Sequence, residues 1–326
     1  MGFLSNMLGG PAPVVDPTCG DAALKRARQD LWTGKFDAAR DLLAQQVDPN
    51  LRAFRIMMLG EWKTRNRGIE EWMRSQPDDS NAWTVGGALL LQLAWVARGS
   101  GTADTVTTQG AQQFVERLAT ADEYFARAAQ LNHRDPVPHA LAVTAAMGLG
   151  YPEPAVRERF EAATAIEPML YTAHGRMLTR LLEKWGGSHE KAFAFARDSV
   201  RHAPNGSAML GVLAEAHYER WVYAAAFDPK NDPIGAKNYW KLPQVQSEMR
   251  ALVDRFLQSP DVSSPDVQRT GNFLACCMCH MDDHTRAAKV FDVLGDRVTE
   301  YPWAQHGDEP GKVFARWRRD ANKRAV

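Results

Sequence analysis

The sequence has no net charge and no long apolar run. Lysines and arginines number 39, and aspartates and glutamates also number 39, so the formal charge of the 326 residues is zero. A chain without a basic excess lacks the electrostatic footprint of a nucleic-acid-binding protein. The longest apolar stretch, residues 88–97, is interrupted by Gln92 and is shorter than the ~20 residues of a membrane-spanning helix. We therefore predict no nucleic-acid partner and no transmembrane segment.

Cysteine is also scarce. Cys19 stands alone, and the other three cysteines cluster at 276, 277 and 279, which is not the spacing of a disulfide framework. The first ten residues have neither the basic region nor the long apolar region of a secretory signal. These features predict a protein of the reducing cytoplasm, with a flexible amino-terminal segment over residues 1–17 and a single domain over residues 18–326.

A repeat organises much of the chain. Alanines recur at intervals of about 34 residues, each with a proline about two helical turns later: Ala128 with Pro136, Ala162 with Pro168, and Ala196 with Pro204. This interval is typical of a helix-turn-helix unit, in which the alanine lets two helices approach and the proline ends the second helix. Apolar residues between these marks recur with the period of a helix, and no segment alternates like a strand.

The repeat predicts an all-α fold, a superhelical array of helical hairpins (an α-solenoid) that resembles tetratricopeptide repeats (TPR). In the last unit Asp282 stands at the turn glycine of a TPR, His284 at its aromatic position and Ala287 at its packing alanine. The predicted helices span residues 20–33, 36–47, 50–64, 68–75, 80–98, 111–131, 137–149, 153–166, 170–184, 188–202, 206–225, 242–258, 264–281, 284–298 and 308–321.

Two irregular stretches, residues 99–110 and 226–243, interrupt the period. Long loops are uncommon in compact helical proteins and are often functional. We therefore predict that partner-binding residues lie beside or within them: Trp95, Arg98, Tyr239 and Trp240. Two roles stay open for Arg98, neutralising the carbonyls at its helix end or pairing with a carboxylate of the partner.

The densest chemical signal lies in the last predicted hairpin. Cys276, Cys279 and His280, with His284 nearby, are residue types that bind Zn²⁺. No paired C-x-x-C motif and no clear fourth ligand accompany them, so packing and partner binding are favoured and we predict no metal or cofactor. One helix face is predicted to be buried: Leu274, Cys277, Met278 and Met281. The opposite face is predicted to line the concave groove of the array: Arg269, Asn272, Cys276, Cys279 and His280.

Tryptophan is frequent, with ten copies. Large aromatic side chains serve both in helical cores and in binding hot spots. Apolar neighbours at helical spacing predict core positions for four of them: Trp32, Trp62, Trp83 and Trp185.

Three short motifs resemble markers of a bacterial TPR-like family catalogued as a domain of unknown function. They are Trp-Val-Ala-Arg-Gly-Ser-Gly at 95–101, Ala-Met-Gly-Leu-Gly at 146–150, and Trp-Gly-Gly-Ser at 185–188 with Phe-Ala at 195–196. The resemblance is best over residues 71–206, weaker toward 303, and absent from the first fifteen residues. It implies one curved helical array, and it implies no activity, because the family has no established one.

Catalytic motifs are lacking. No nucleophile elbow, phosphate-binding loop, zinc-protease or dinucleotide-binding pattern occurs in the sequence. His217 lies near Glu215 and Glu219, but side chains at such close helical positions point in different directions. We therefore predict a protein that is not an enzyme, an adaptor or scaffold that binds a protein or peptide segment in its groove. The alternatives are a metal-dependent enzyme or sensor using residues 276–284, and a cytoplasmic protein that neutralises one specific partner.

Overall fold

A computed structural model describes residues 11–99, 101, 105–228, 230–232 and 234–325. Over these residues the chain is helical and contains no strand, which confirms the all-α prediction. The helices are α1 (Ala22–Trp32), α2 (Asp37–Leu43), α3 (Pro49–Gly60), α4 (Arg67–Ser75), α5 (Ser80–Arg98), α6 (Thr108–Leu131), α7 (Val137–Gly148), α8 (Glu153–Ile166), α9 (Tyr171–Leu181), α10 (His189–Arg201), α11 (Leu210–Val222), α12 (Ala236–Tyr239), α13 (Pro243–Phe256), α14 (Pro265–His280), α15 (His284–Leu294) and α16 (Pro310–Arg324).

Each predicted span has its counterpart among these helices, and local chemistry explains their bounds. Side chains of Asp79 and Thr107 cap α5 and α6 by accepting hydrogen bonds from backbone N–H groups in the first turn. Helix α12 has no predicted counterpart. It lies inside the stretch 226–243 that the sequence indicated as irregular. Helix α11 continues as a π-helical turn, Tyr223–Phe227, and this turn takes up the end of the longer helix predicted there.

The chain forms two compact units, where the repeat predicted one continuous domain. The amino-terminal unit comprises Gly20–Phe195, and the carboxyl-terminal unit comprises Ala196–Val326 together with the chain that ends at Cys19. Residues 11–17 are the described part of the segment predicted to be flexible, and they pack on α16. The Pro13 carbonyl approaches Gly311 of that helix so closely that a side chain with a Cβ has no room there. No helix of the described chain is both long and apolar enough to cross a bilayer.

In the amino-terminal unit, several successive helices pack as hairpins. Helix α5 packs against α6 and α7 against α8, while α3 contacts α5, α7 and α9, and α7 also contacts α5 and α9. Gly87 on α5 faces the ring of Phe125, and this close approach brings the two helices together. Ala128 is fully buried, as the repeat predicts. In the next repeat the fully buried alanine is Ala163, one residue later than the predicted Ala162.

In the carboxyl-terminal unit, α14 is the central helix. It packs against α11, α13 and α15, and α15 in turn packs against α16. The turn after α14 places Asp282 at a positive φ of 57°. This is the left-handed conformation that favours glycine, and it agrees with the position of Asp282 at the turn glycine of a TPR. Asp283 then caps α15 through a hydrogen bond from the backbone N–H of Arg286.

Candidate functional site

Three metal-ligating side chains meet inside the carboxyl-terminal unit. Cys276 and His280 lie one turn apart on α14, so both project from the same face of the helix. His306 follows the 3-10 turn Trp303–Gln305 and approaches that face from outside. One ligand atom from each of the three side chains lies within 4.8 Å of the others, and Cys276 Sγ is 3.5 Å from His306 Nε2. We call this group the Cys–His cluster.

Asn272 holds the chain that carries His306 in place. Its Nδ2 donates hydrogen bonds to the carbonyls of Gln268 and Arg297 at 2.8 and 2.9 Å. Its Oδ1 accepts hydrogen bonds from Trp303 Nε1 at 2.6 Å and from the backbone N–H of Thr299 at 3.4 Å. The Asn272 side chain therefore uses its full donor and acceptor capacity to fix the segment 297–306 on α14.

An aromatic shell surrounds the Cys–His cluster. Trp221 lies 4.5 Å from the ring of His280, and Trp240 stacks on the same imidazole at 5.7 Å with an interplanar angle of 8°. Trp317 of α16 lies 4.8 Å from the ring of His306. Within this shell, His280 Nε2 and Trp240 Nε1 are buried and have no hydrogen-bond partner. Such atoms are uncommon in folded proteins and call for an explanation.

The cluster is electrically neutral. Complete burial, followed by the neighbouring thiols, raises the pKa of Cys276 well above its usual value. Burial lowers the pKa of His280 to about 3, and His306 contributes to this shift. Burial also lowers the pKa of His306, with a smaller effect from Arg316. The unligated cluster is therefore a set of uncharged nitrogen and sulfur donors at neutral pH.

Four of the residues predicted to bind a partner are buried: Asn272, Cys276, Tyr239 and Trp240. The expectation that they face an open groove is therefore wrong. The segment that precedes α16 covers the face of α14 that a TPR unit presents to its groove, as the contacts of Asn272 and His306 show. The opposite stripe of α14, which includes Cys277 and Met278, is buried as predicted.

The remaining predicted residues of α14 are partly exposed. Arg269 forms an ion pair with Glu215 at 3.2 Å, and its guanidinium lies over the ring of Phe273. His280 joins the Cys–His cluster, whereas Cys279 and His284 lie outside it. The sequence thus indicated two ligands, Cys276 and His280, and missed His306. No local pattern around His306 signals a ligand, because its role depends on the fold of the segment before α16.

Trp95 and Arg98 lie together in the amino-terminal unit. The Arg98 guanidinium donates to the carbonyls of Gly99 and Gly101 at 3.3 and 3.1 Å. It also lies 5.8 Å from the ring of Trp95 and 5.7 Å from that of Trp185. These carbonyls follow the last residue of α5, in line with the first role left open for Arg98, and pairing with a carboxylate of the partner stays a prediction. Residues 100 and 102–104 of the adjoining loop lie outside the described chain.

A second polar group in the carboxyl-terminal unit is centred on His217. Its Nδ1 lies 2.7 Å from the Tyr239 hydroxyl, and its Nε2 lies 2.9 Å from Glu248 Oε2. Arg197 pairs with the same carboxylate at 2.8 Å. A neutral imidazole that donates from Nε2 and accepts at Nδ1 satisfies these contacts. Tyr239 and His217 are almost fully buried, and the group joins α11, α12 and α13.

Acid is expected to weaken the carboxyl-terminal unit through Glu248. The hydrogen bond from His217, aided by that from Arg197, lowers the pKa of Glu248 from 4.5 to about 2 although burial opposes the shift. A carboxyl group with a depressed pKa stabilises the folded state above pH 4.5 and loses that contribution as the pH falls through about 2. We expect about 3 kcal/mol of the free energy of unfolding to be lost across this window in urea denaturation.

His217 adds to the same trend, because burial lowers its pKa below the ordinary 6.5. An imidazole kept neutral by the fold stabilises it above pH 6.5 and contributes less as the pH falls below that value. The variant Glu248→Gln should lose much of the acid sensitivity between pH 4.5 and 2. An unchanged acid profile in this variant contradicts the assignment to Glu248.

An exposed tryptophan stacks on a half-buried one in the amino-terminal unit. The prediction that Trp32 is a core residue is wrong, because 66% of its surface is exposed. Its ring stacks on Trp62 at 5.6 Å with an interplanar angle of 17°, and the guanidinium of Arg28 lies 4.9 Å from the Trp62 ring. We call Arg28, Trp32 and Trp62 the Trp32 surface. Apolar spacing on α1 misled the prediction, because Trp32 is the last residue of that helix.

No known family profile matches the chain, and no curated protein matches it either. The resemblance to a bacterial TPR-like family therefore stays a prediction. The fold and these sites define a protein built of α-helices with a thiol–imidazole cluster in one unit and an exposed tryptophan, Trp32, in the other. Its function is argued from these two features.

Proposed function

We propose that the protein is a cytoplasmic adaptor that binds a segment of another protein and catalyses no reaction. The superhelical TPR-like array belongs to this proposal. It is supported in the amino-terminal unit by the hairpins α5–α6 and α7–α8, which successive stretches of the chain form. The cytoplasmic location is supported by the four cysteines, all of which are free thiols.

The observation that carries the proposal is the Trp32 surface. Tryptophan and arginine are the residue types most enriched at binding hot spots. A tryptophan buries about 150–250 Å² when a partner covers it, and each Å² of apolar surface removed from water contributes about 25 cal/mol. Trp32 is the most exposed tryptophan among the described large hydrophobic residues, and its stacking on Trp62 holds the ring in one orientation before binding.

Charge indicates the chemistry of the partner. Exposed basic residues flank both tryptophans in the sequence: Lys25, Arg26, Lys63, Arg65 and Arg67. Arg26 and Arg65 are partly neutralised by ion pairs with Asp30 and Glu70. The remaining charges are basic at Lys25, Lys63 and Arg67 and acidic at Glu61, beside Trp62. This basic excess favours an acidic segment that also carries an apolar or aromatic side chain to cover Trp32. We commit to such a segment of a protein as the partner.

The substitution Trp32→Ala is expected to weaken binding of that partner about 30-fold, which corresponds to about 2 kcal/mol. Removing the exposed ring leaves the core intact, so the free energy of unfolding should fall by no more than about 1.5 kcal/mol, the contribution of one aromatic pair. A photoreactive amino acid in place of Gln29, which is exposed and lies one turn before Trp32 on α1, identifies the partner by crosslinking in the native host and leaves the tryptophan in place. Titration of the purified partner then compares the variant with the parent chain.

Val115→Ala is the matched control, because Val115 is also an exposed apolar residue of the amino-terminal unit and lies on α6. It should leave partner affinity unchanged. Equal affinity of the parent chain and Trp32→Ala, with Val115→Ala behaving identically, would falsify the assignment of the Trp32 surface. A crosslinked partner without an acidic segment contradicts the charge argument alone.

A further inference from the structure

We propose that the Cys–His cluster is a binding site for one Cu(I) ion, with Cys276, His280 and His306 as its three ligands. This site goes beyond the adaptor function and is independent of the Trp32 surface. Thiolate sulfur selects soft metals such as Cu(I), and imidazole nitrogen suits copper as well as zinc. The three side chains come from two separate parts of the chain, α14 and the segment before α16, which places a ligand on each side of the site.

The donor atoms already lie close to a coordinating arrangement. Bonds of about 2.0–2.3 Å to nitrogen and sulfur place the ligand atoms of a three-coordinate ion roughly 3.5–4 Å apart. Cys276 Sγ and His306 Nε2 are 3.5 Å apart, which meets this condition. All three ligand atoms lie within 4.8 Å of one another, so an inward movement of about 1 Å, attainable by side-chain rotation, completes the set.

Charge balance favours a monovalent ion over Zn²⁺. Among the described residues, the group that gathers here contains one thiol and two imidazoles and no carboxylate. One thiolate and one Cu(I) sum to zero charge, whereas the same ligands leave a net charge of +1 on Zn²⁺. Tryptophan rings enclose the site on several sides, and an uncompensated charge in such surroundings is expensive. Zn²⁺ also prefers four ligands, while Cu(I) is satisfied by three.

The aromatic shell suits the same ion. The ring of Trp221 lies 4.5 Å from His280 and 5.9 Å from His306, so one indole covers both imidazole ligands. Trp240 and Trp317 cover other sides of the pair. Rings in these positions restrict the access of water to the three ligands, which favours a low coordination number. The buried His280 Nε2 has no hydrogen-bond partner in the unligated chain, and a movement of this ring toward the ion relieves its isolation.

Binding is a proton-for-metal exchange without oxidation or reduction. The Cys276 thiol releases one proton to solvent, and the Cu(I) ion forms one bond to sulfur and one bond to a nitrogen of each imidazole. His306 Nε2 also contacts the buried Tyr218 hydroxyl at 3.1 Å, so coordination of the ion by this nitrogen replaces both that hydrogen bond and the weaker contact with Cys276. Because a bound ion links α14 to the segment before α16, metal binding should also stabilise the carboxyl-terminal unit.

Titration of the full-length reduced protein with Cu(I) in the absence of oxygen tests the proposal, using a chromophoric Cu(I) chelator as competitor. We expect one ion per chain, quenching of tryptophan emission, and X-ray absorption showing one sulfur and two nitrogen neighbours. Cys276→Ala should weaken binding by more than about 100-fold, since even the loss of a residue that only supports a ligand costs about 10–100-fold. A parallel titration with Zn²⁺ compares the two metals.

Cys277→Ala is the matched control. Cys277 is the next residue on α14, is as fully buried as Cys276, and lies outside the cluster. The two variants lose equal buried volume, so only the metal readouts should separate them. His306→Asn, at a half-buried position, provides a second ligand variant if Cys276→Ala does not fold.

Each outcome is decisive. Binding of one Cu(I) ion per chain that is retained in Cys277→Ala and lost in Cys276→Ala or His306→Asn supports the site. Each metal's affinity is measured against its own chelator. If the protein binds Zn²⁺ more tightly than Cu(I), the choice of ion is overturned, although the cluster is still a metal site. Absence of binding for both metals, or equal binding by both cysteine variants, overturns the site itself. None of these results bears on partner binding by Trp32, so the two proposals fail separately.

Discussion

Replacing Asn272 with leucine is expected to lower the free energy of unfolding by about 3–5 kcal/mol. The side chain is completely buried and forms hydrogen bonds with four other residues. Leucine has a similar size but no polar atoms, so it leaves the Arg297 carbonyl, the Thr299 N–H and the Trp303 indole N–H without partners. Each unsatisfied buried group costs about 1–3 kcal/mol.

Urea denaturation of Asn272→Leu measures this effect. Asn238→Leu is the control, because Asn238 is exposed and its amide donates only to the Ile234 carbonyl, so its replacement should stay within about 0.5 kcal/mol of the parent chain. If Asn272→Leu is equally mild, Asn272 does not hold the segment before α16.

Breaking the ion pair between Arg220 and Asp232 is expected to cost about 3–5 kcal/mol. The two side chains are 8% and 4% exposed and approach to 2.6 Å. Asp232→Asn keeps the shape of the side chain but leaves the Arg220 guanidinium charged and buried. Asp232 also accepts hydrogen bonds from the backbone N–H groups of Ile234 and Gly235, so the pair anchors the chain before α12.

The double variant Arg220→Met with Asp232→Asn separates the charge from the hydrogen bonds. Methionine removes the uncompensated charge, and asparagine keeps an oxygen that accepts from the Ile234 and Gly235 N–H groups, so the double variant should be more stable than Asp232→Asn alone. Thermal and urea unfolding of the two variants provide the comparison. A stability of Asp232→Asn within about 0.5 kcal/mol of the parent chain contradicts a tight, buried pair.

The helices of this protein were predictable because their signals are local. The apolar spacing of α6, the capping side chains Asp79 and Thr107, and the proline at the start of α14 all act within a few residues of the elements they define. The turn at Asp282 was likewise predictable, from its place in the TPR pattern. Helix α12 was missed because its four residues are too few to show a helical period.

The candidate sites were only half predictable. Cys276 and His280 stand four residues apart on one helix, so their proximity follows from helical geometry. His306 is a further 26 residues along the chain, beyond α15 and a non-helical segment, and nothing near it in the sequence indicates a ligand. Trp32 was misplaced for a related reason, since a residue at the end of an amphipathic helix is buried only if another element covers it.

The sequence by itself determined the all-α class, the positions of the helices and the burial of the Cys277 stripe, because these depend on periodicity and on contacts between near neighbours. The tertiary structure decided which face of α14 is covered, and by what. Asn272, Cys276 and His280 belong to a face that an open TPR array leaves exposed, but the segment before α16 folds over it and brings His306 to Cys276. That choice rests on hydrogen bonds and packing between residues about 25–30 positions apart, which no short-range pattern encodes.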